Sequence, residues 1–274
     1  MNPIPVYQRL INCASNGFSM LEPEVQQEIR HFIIGNQDER GAFTDRAGKV
    51  DWYYTLFGCW LVKALHQTKQ VKKLAEFAES SLIEERSLID RYAKQLVQQI
   101  INPENKTSDL RFRELLKKSN ADFTYKLFLF LLLADAQGKN KRSMRLVIKT
   151  IIRFYQLPGD MPSSFLAVML LVRGDAGLKT AHLQKQLMGY YESGFKAFKQ
   201  VDQPDLLSTA VSLFALHETV AELRVIAPAC FDFIQDNYSS GAFLAGTGDN
   251  KHDLEYTFYG LLALGCLAQN DAVI

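Results

Sequence analysis

Apolar residues recur at every third or fourth position along most of the chain, the spacing that keeps one face of an α-helix dry. The pattern predicts helices near 22–34, 49–67, 68–80, 85–101, 121–137, 140–156, 162–172, 178–199, 204–219, 222–238 and 252–269. Alternating apolar and polar runs bounded by turn residues are missing, so no strands are predicted. Two kinds of helix stand out. KKLAEFAESS (72–81) and RSMRLVIKTIIRFY (142–155) are amphipathic and charged. WYYTLFGCWLVKAL (52–65), FTYKLFLFLLLA (123–134), SSFLAVMLLV (163–172), LLSTAVSLFAL (206–216) and YTFYGLLALGCLA (256–268) are apolar nearly all round. A helix that is apolar on every face must be buried on every face. Alternation of the two kinds predicts an inner and an outer layer.

A repeat sharpens that expectation. Gly41-Ala42-Phe43 precedes Asp51-x-x-x-Thr55, Gly194-Phe195 precedes Asp205-x-x-x-Thr209, and Gly241-Ala242-Phe243 precedes Asp253-x-x-x-Thr257. The last two Asp residues lie 48 apart and the first two 154 apart, which leaves room for two more copies. Asp122 and Asp160, each before an apolar run, are degenerate candidates for those copies. A fixed period in this range marks a repeat architecture. Each Asp stands where a carboxylate can accept the unpaired N–H groups of a helix start and meet its positive end. The glycine supplies a turn and the phenylalanine an aromatic to pack beneath it. Stacked helical hairpins of this kind close into an all-α (α/α)5–6 toroid, here as one domain over residues 1–274.

Charge and cysteine usage narrow the function classes. Lys+Arg 31 against Asp+Glu 30 leaves a net charge of +1, without the basic excess expected of a nucleic-acid binder. The longest purely apolar run, Leu127 to Ala134, is far short of the ~20 residues of a membrane span. Cys13, Cys59, Cys230 and Cys266 form no CxxC pair and read as buried free thiols of a reducing compartment. MNPIPVYQRL lacks the features of a signal peptide, so a cytoplasmic location is expected.

The stretches GAFTDRAGKVDWYYTLFG (41–58) and SSGAFLAGTGDNKHDLEYTFYGLLALG (239–265) resemble the repeat of protein prenyltransferase β subunits, a Gly-Gly-Phe turn followed by Asp-x-x-His-Thr and an apolar helix. Gln37-x-x-x-Gly41-x-Phe43 is similar to the Gln-Trp type repeat of terpene cyclases such as squalene–hopene cyclase, with Phe in place of Trp. The resemblance covers three repeats and implies an α/α toroid whose cavity accepts an isoprenoid. Its zinc chemistry is not expected here. The family's zinc histidine is replaced by Tyr54 and Tyr256, phenols that stay protonated near neutral pH. The family's Asp-x-Cys pair is missing, and His31, His66, His182, His217 and His252 show no ligand spacing. The Asp-x-Asp-Asp acid motif of class II cyclases is missing too.

What the resemblance implies about a site is therefore specific to these residues. Asp51 or Asp253 would serve as acid or charge stabiliser, or would only cap helices. Trp52, Tyr53, Tyr54, Tyr256 and Tyr259 would line a cation path, or fill the core. Arg46, Lys49 and Lys251, in the loops before the two Asp residues, would hold a diphosphate, which would bring Mg2+ with it; no other cofactor is expected. Lys126, a lone cation in an apolar helix, either pairs with Asp122 one turn back or marks a ligand anion. Two functions follow: a zinc-independent enzyme acting on a prenyl diphosphate or polyprene, and a non-catalytic toroid that binds a lipid or a partner protein.

Overall fold

The computed structural model describes residues 4–80, 85, 87–104, 123–138 and 161–268. Among them the chain is almost entirely helical: α1 (Val6–Ser19), α2 (Pro23–Gly35), α3 (Trp52–Ala64), α4 (Thr68–Ser80), α5 (Leu88–Ile101), α6 (Phe123–Ala136), α7 (Ser163–Asp175), α8 (Ala181–Met188), α9 (Leu206–Glu218), α10 (Ala227–Asp236) and α11 (Leu254–Ala268). The helix expected near 140–156, and the degenerate positions Asp122 and Asp160, lie outside the described residues.

Two expectations need correction. Strands do occur, as a two-residue antiparallel pair, β1 (Tyr238–Ser239) with β2 (Ala242–Phe243). Isolated bridges Gln37↔Phe43 and Tyr191↔Phe195 repeat the same hairpin at the two earlier glycine-phenylalanine turns. The predicted helix over 178–199 accordingly stops at Met188, because its second half is one of these hairpins. Such pairs are too short to show any alternation.

The three repeats share one device. Asp51, Asp205 and Asp253 each accept a backbone N–H three residues on, at 2.7, 2.7 and 2.8 Å. Thr55, Thr209 and Thr257 each donate their hydroxyl to that Asp's carbonyl, at 2.6–2.7 Å. The same hydroxyls accept the N–H of Phe43, Phe195 and Phe243, at 3.1, 2.8 and 3.4 Å. The threonine thus ties the hairpin to the start of the apolar helix. Phe43 and Phe243 then lie on Gly58 and Gly260, where an added Cβ would fall within 2.4 Å of the ring. Gly41 and Gly241 adopt positive φ (103° and 89°), the region that favours glycine.

The apolar helices bury themselves against one another. Contacts run from α3 to α5, α6, α7, α9 and α11, and from α11 back to α3. Helix α4 packs on α3 and α5, α8 on α7, and α10 on α11. Each repeat's loop also reaches the helix start of the preceding repeat. The carbonyl of Ala197 accepts from Ser163 N–H, that of Ala245 from Leu206 N–H, both at 2.8 Å. In the first repeat the corresponding loop sends Arg46 to Asp253, at the start of the last apolar helix.

Helix α1 is not among the segments the pattern predicts, yet it makes the most extensive helix contact, with α11. It lies at the end where helix C-termini gather. Val6 N–H donates to Asp135 near the end of α6 (2.7 Å), and Arg9 pairs with Asp175 (2.9 Å) and Glu218, the last residues of α7 and α9. A Cβ on Gly17 would fall 2.0 Å from the Leu261 carbonyl oxygen, and one on Gly265 1.8 Å from that of Cys13. Only glycine permits this approach.

Candidate functional site

The helices enclose a cavity of about 100 Å3. Trp60 lines it from α3, and on α6, α7, α9 and α11 the lining positions fall one or two helical turns apart, as with Tyr125 and Phe128, Ala167 and Leu171, Leu207 and Val211, and Tyr259 and Leu262. Leu10 of α1 contributes from the C-terminal end. Thr124 and Ser164 are the hydroxyl-bearing aliphatic residues in an otherwise apolar and aromatic wall.

A cluster of tyrosines stands at the helix N-terminal end. Tyr53 donates its hydroxyl to Glu255 Oε1 at 2.6 Å and stacks obliquely on Tyr125, with ring centroids 5.1 Å apart. Tyr54 meets the edge of Tyr53, and Tyr256 lies 6.4 Å from Tyr259. Arg46 places its guanidinium over the Tyr256 ring, 5.4 Å from the centroid. Glu255 sits one turn before Tyr259 on α11 and is buried, 9 % exposed. Burial pushes its carboxyl up to about 7, against the hydrogen bond from Tyr53 that favours the anion. Burial also raises Tyr53, Tyr125 and Tyr259, with the negative charge of Glu255 adding to the effect. Oε2 of Glu255 takes no hydrogen bond among the described residues.

Asp51 and Asp253 both act as helix caps through Oδ1. Burial raises both carboxyls, against the backbone hydrogen bonds that hold the anion. Arg46 is engaged by two carboxylates of the last repeat: Asp249 at 3.0 Å and Asp253. Those partners raise the guanidinium's pKa although burial opposes it.

Lys49 and Lys251 are exposed in the loops before Asp51 and Asp253. Trp52 is fully buried away from the cavity wall, 5.2 Å from Phe77 of α4 and beneath Lys94 of α5. Lys126 is buried on α6, and its candidate partner Asp122 lies outside the described residues.

The structure thus brings Asp253, Arg46, Tyr53, Tyr54, Tyr256 and Tyr259 together and leaves Trp52 elsewhere. Sequence reasoning misses Glu255 and Tyr125. The signal for Glu255 was available: it is the one ionisable carboxylate inside the apolar helix LEYTFYGLLALGCLA. No group of three or more His, Cys, Asp or Glu residues is placed to hold a metal among the described residues. The four cysteines are buried and free, with Cys13 and Cys266 sulfurs 3.4 Å apart between α1 and α11. No described helix is long and apolar enough to cross a membrane. No family model, curated protein or solved structure matches this chain.

Proposed function

We propose that the chain is an (α/α) toroid of the prenyltransferase and terpene-cyclase type that holds a short isoprenoid, or a comparably branched apolar chain, in its central cavity without zinc. The observation that supports the fold is the recurring loop contact. Each glycine-phenylalanine loop reaches the preceding apolar helix, and the first loop reaches the last helix through Arg46 and Asp253. The same offset, applied at the first repeat, closes a ring. The observation that supports the ligand is the wall: aromatic and branched aliphatic side chains with little polar surface to solvate anything but hydrocarbon. At about 100 Å3 the cavity is smaller than the ~150 Å3 cavity known to take up benzene. It therefore suits one short segment of chain, with any longer ligand extending out at the helix N-terminal end.

A second reading, an enzyme that takes a prenyl diphosphate, draws on Lys49 and Lys251. They are exposed beside the helix starts, whereas Arg46 is already engaged by Asp249 and Asp253. Native mass spectrometry with geraniol and with geranyl diphosphate separates the two. Retention of the alcohol, with little diphosphate bound, is the expected result. Retention of the diphosphate followed by loss of its inorganic part supports the enzyme. Binding of neither removes the isoprenoid reading and leaves a toroid that works through a partner protein.

A further inference from the structure

Glu255 is a buried carboxyl whose hydrogen-bond capacity is only partly used. Tyr53 satisfies Oε1, while Oε2 accepts nothing among the described residues. The charged groups around it are accounted for. From α3 and its cap come Tyr53, Tyr54 and Asp51, and from α6 Tyr125. Tyr256 and Tyr259 share α11 with it, Asp253 caps that helix, and Asp205 acts on its tyrosine neighbours from the start of α9. The cation close enough to act on Glu255 is Arg46, and its guanidinium is held by Asp249 and Asp253. The balance at this end of the cavity is therefore negative.

Aromatic faces with a carboxylate among them attract a cation, and an apolar cavity beside them attracts hydrocarbon. Tyr259 and Leu262 of the cavity wall stand one and two turns beyond Glu255 on the same face of α11, and Tyr125 of the wall lies against Tyr53, which holds Glu255. We propose that Glu255 and the tyrosines around it receive the ammonium end of an amphiphilic amine whose apolar chain lies in the cavity. This deepens the reading of the cavity as a holder of apolar chains and rests on it. A cation seated here replaces the water that Glu255 loses on burial, and Tyr53 keeps the carboxylate oriented.

The test is calorimetric titration with hexyltrimethylammonium, whose charge does not titrate, and with 1-hexanol, which shares the chain and lacks the charge. At about pH 8.5 the ammonium should bind about tenfold tighter than the alcohol, the worth of one desolvated ion pair with aromatic contacts. At about pH 5.5, where Glu255 is protonated, that preference should fall about tenfold, because the cation binds only the anion. Glu255→Gln keeps an acceptor for Tyr53 and should bind both ligands alike at both pH values. Equal binding of ammonium and alcohol by the native protein overturns the proposal and leaves the cavity reading intact. A preference that survives Glu255→Gln also overturns it, and assigns the attraction to Asp249 and Asp253. Binding of neither ligand overturns both readings. Should Glu255→Gln fail to fold, the pH profile of the native protein decides alone.

Discussion

Each end of the helical circuit carries an arginine clamped between two carboxylates, and the two arginines do different work. At the N-terminal end Arg46 joins Asp249 and Asp253, and Asp253 is already favoured there by the Tyr256 N–H and by the positive end of α11. At the C-terminal end Arg9 joins Asp175 and Glu218, the terminal residues of α7 and α9, where the helix dipoles repel a negative charge. Arg46 joins two carboxylates that each keep backbone hydrogen bonds of their own. Arg9 makes two otherwise unfavourable charges tolerable. Although burial would raise Glu218, its carboxyl is held below the usual range by His217 and Arg9.

The comparison is broken most severely by separating α1 from α11. Gly265→Ala forces a methyl into the Cys13 carbonyl, backbone against backbone, with no flexible side chain to yield. We expect a loss of about 3 kcal/mol, near the upper end for overpacking, read as a lowered midpoint in urea unfolding. The paired arginine variants come next. Arg9→Met should cost about 2 kcal/mol, since it leaves the mostly buried Glu218 at a helix C-terminus without its guanidinium. Arg46→Met should cost about 1 kcal/mol, because Asp249 and Asp253 keep the backbone N–H groups of Ala245, Lys251 and Tyr256 without it. Equal losses would show that the dipoles do not distinguish the two ends.

The smallest effects belong to the caps. Asp51→Ala, Asp205→Ala and Asp253→Ala should each cost about 1 kcal/mol, while the Asn variants, which cap as well, should be close to neutral by thermal unfolding. An Asp51→Asn or Asp253→Asn protein that folds normally yet no longer processes its ligand would give these carboxylates a chemical role beyond capping.

Much of the fold was legible before any coordinates. Period, apolarity all round and the Asp-x-x-x-Thr recurrence are local properties, and they mark α3, α9 and α11 with their caps in place. Helix boundaries were less legible where a hairpin of a few residues interrupts a helical pattern, as at 191–195. The site was legible in part: Tyr53, Tyr54, Tyr256 and Tyr259 were candidates, whereas Glu255, marked only as the lone carboxylate of an apolar helix, needed the fold to bring Tyr53 to it.

By itself, then, the sequence determined the helical class, the repeat and the capping chemistry, because each depends on residues within a few turns of one another. Tertiary structure alone decided which aromatic residues face the cavity and which, like Trp52, pack outward, since a helix apolar on every side carries no mark of its inner face. It alone decided that α1 lies across the helix C-termini, held by two glycines 248 residues apart in the chain. And it alone buried Glu255 and brought it Tyr53 from 202 residues away, and these two act on its ionisation ahead of Asp253, its neighbour in sequence.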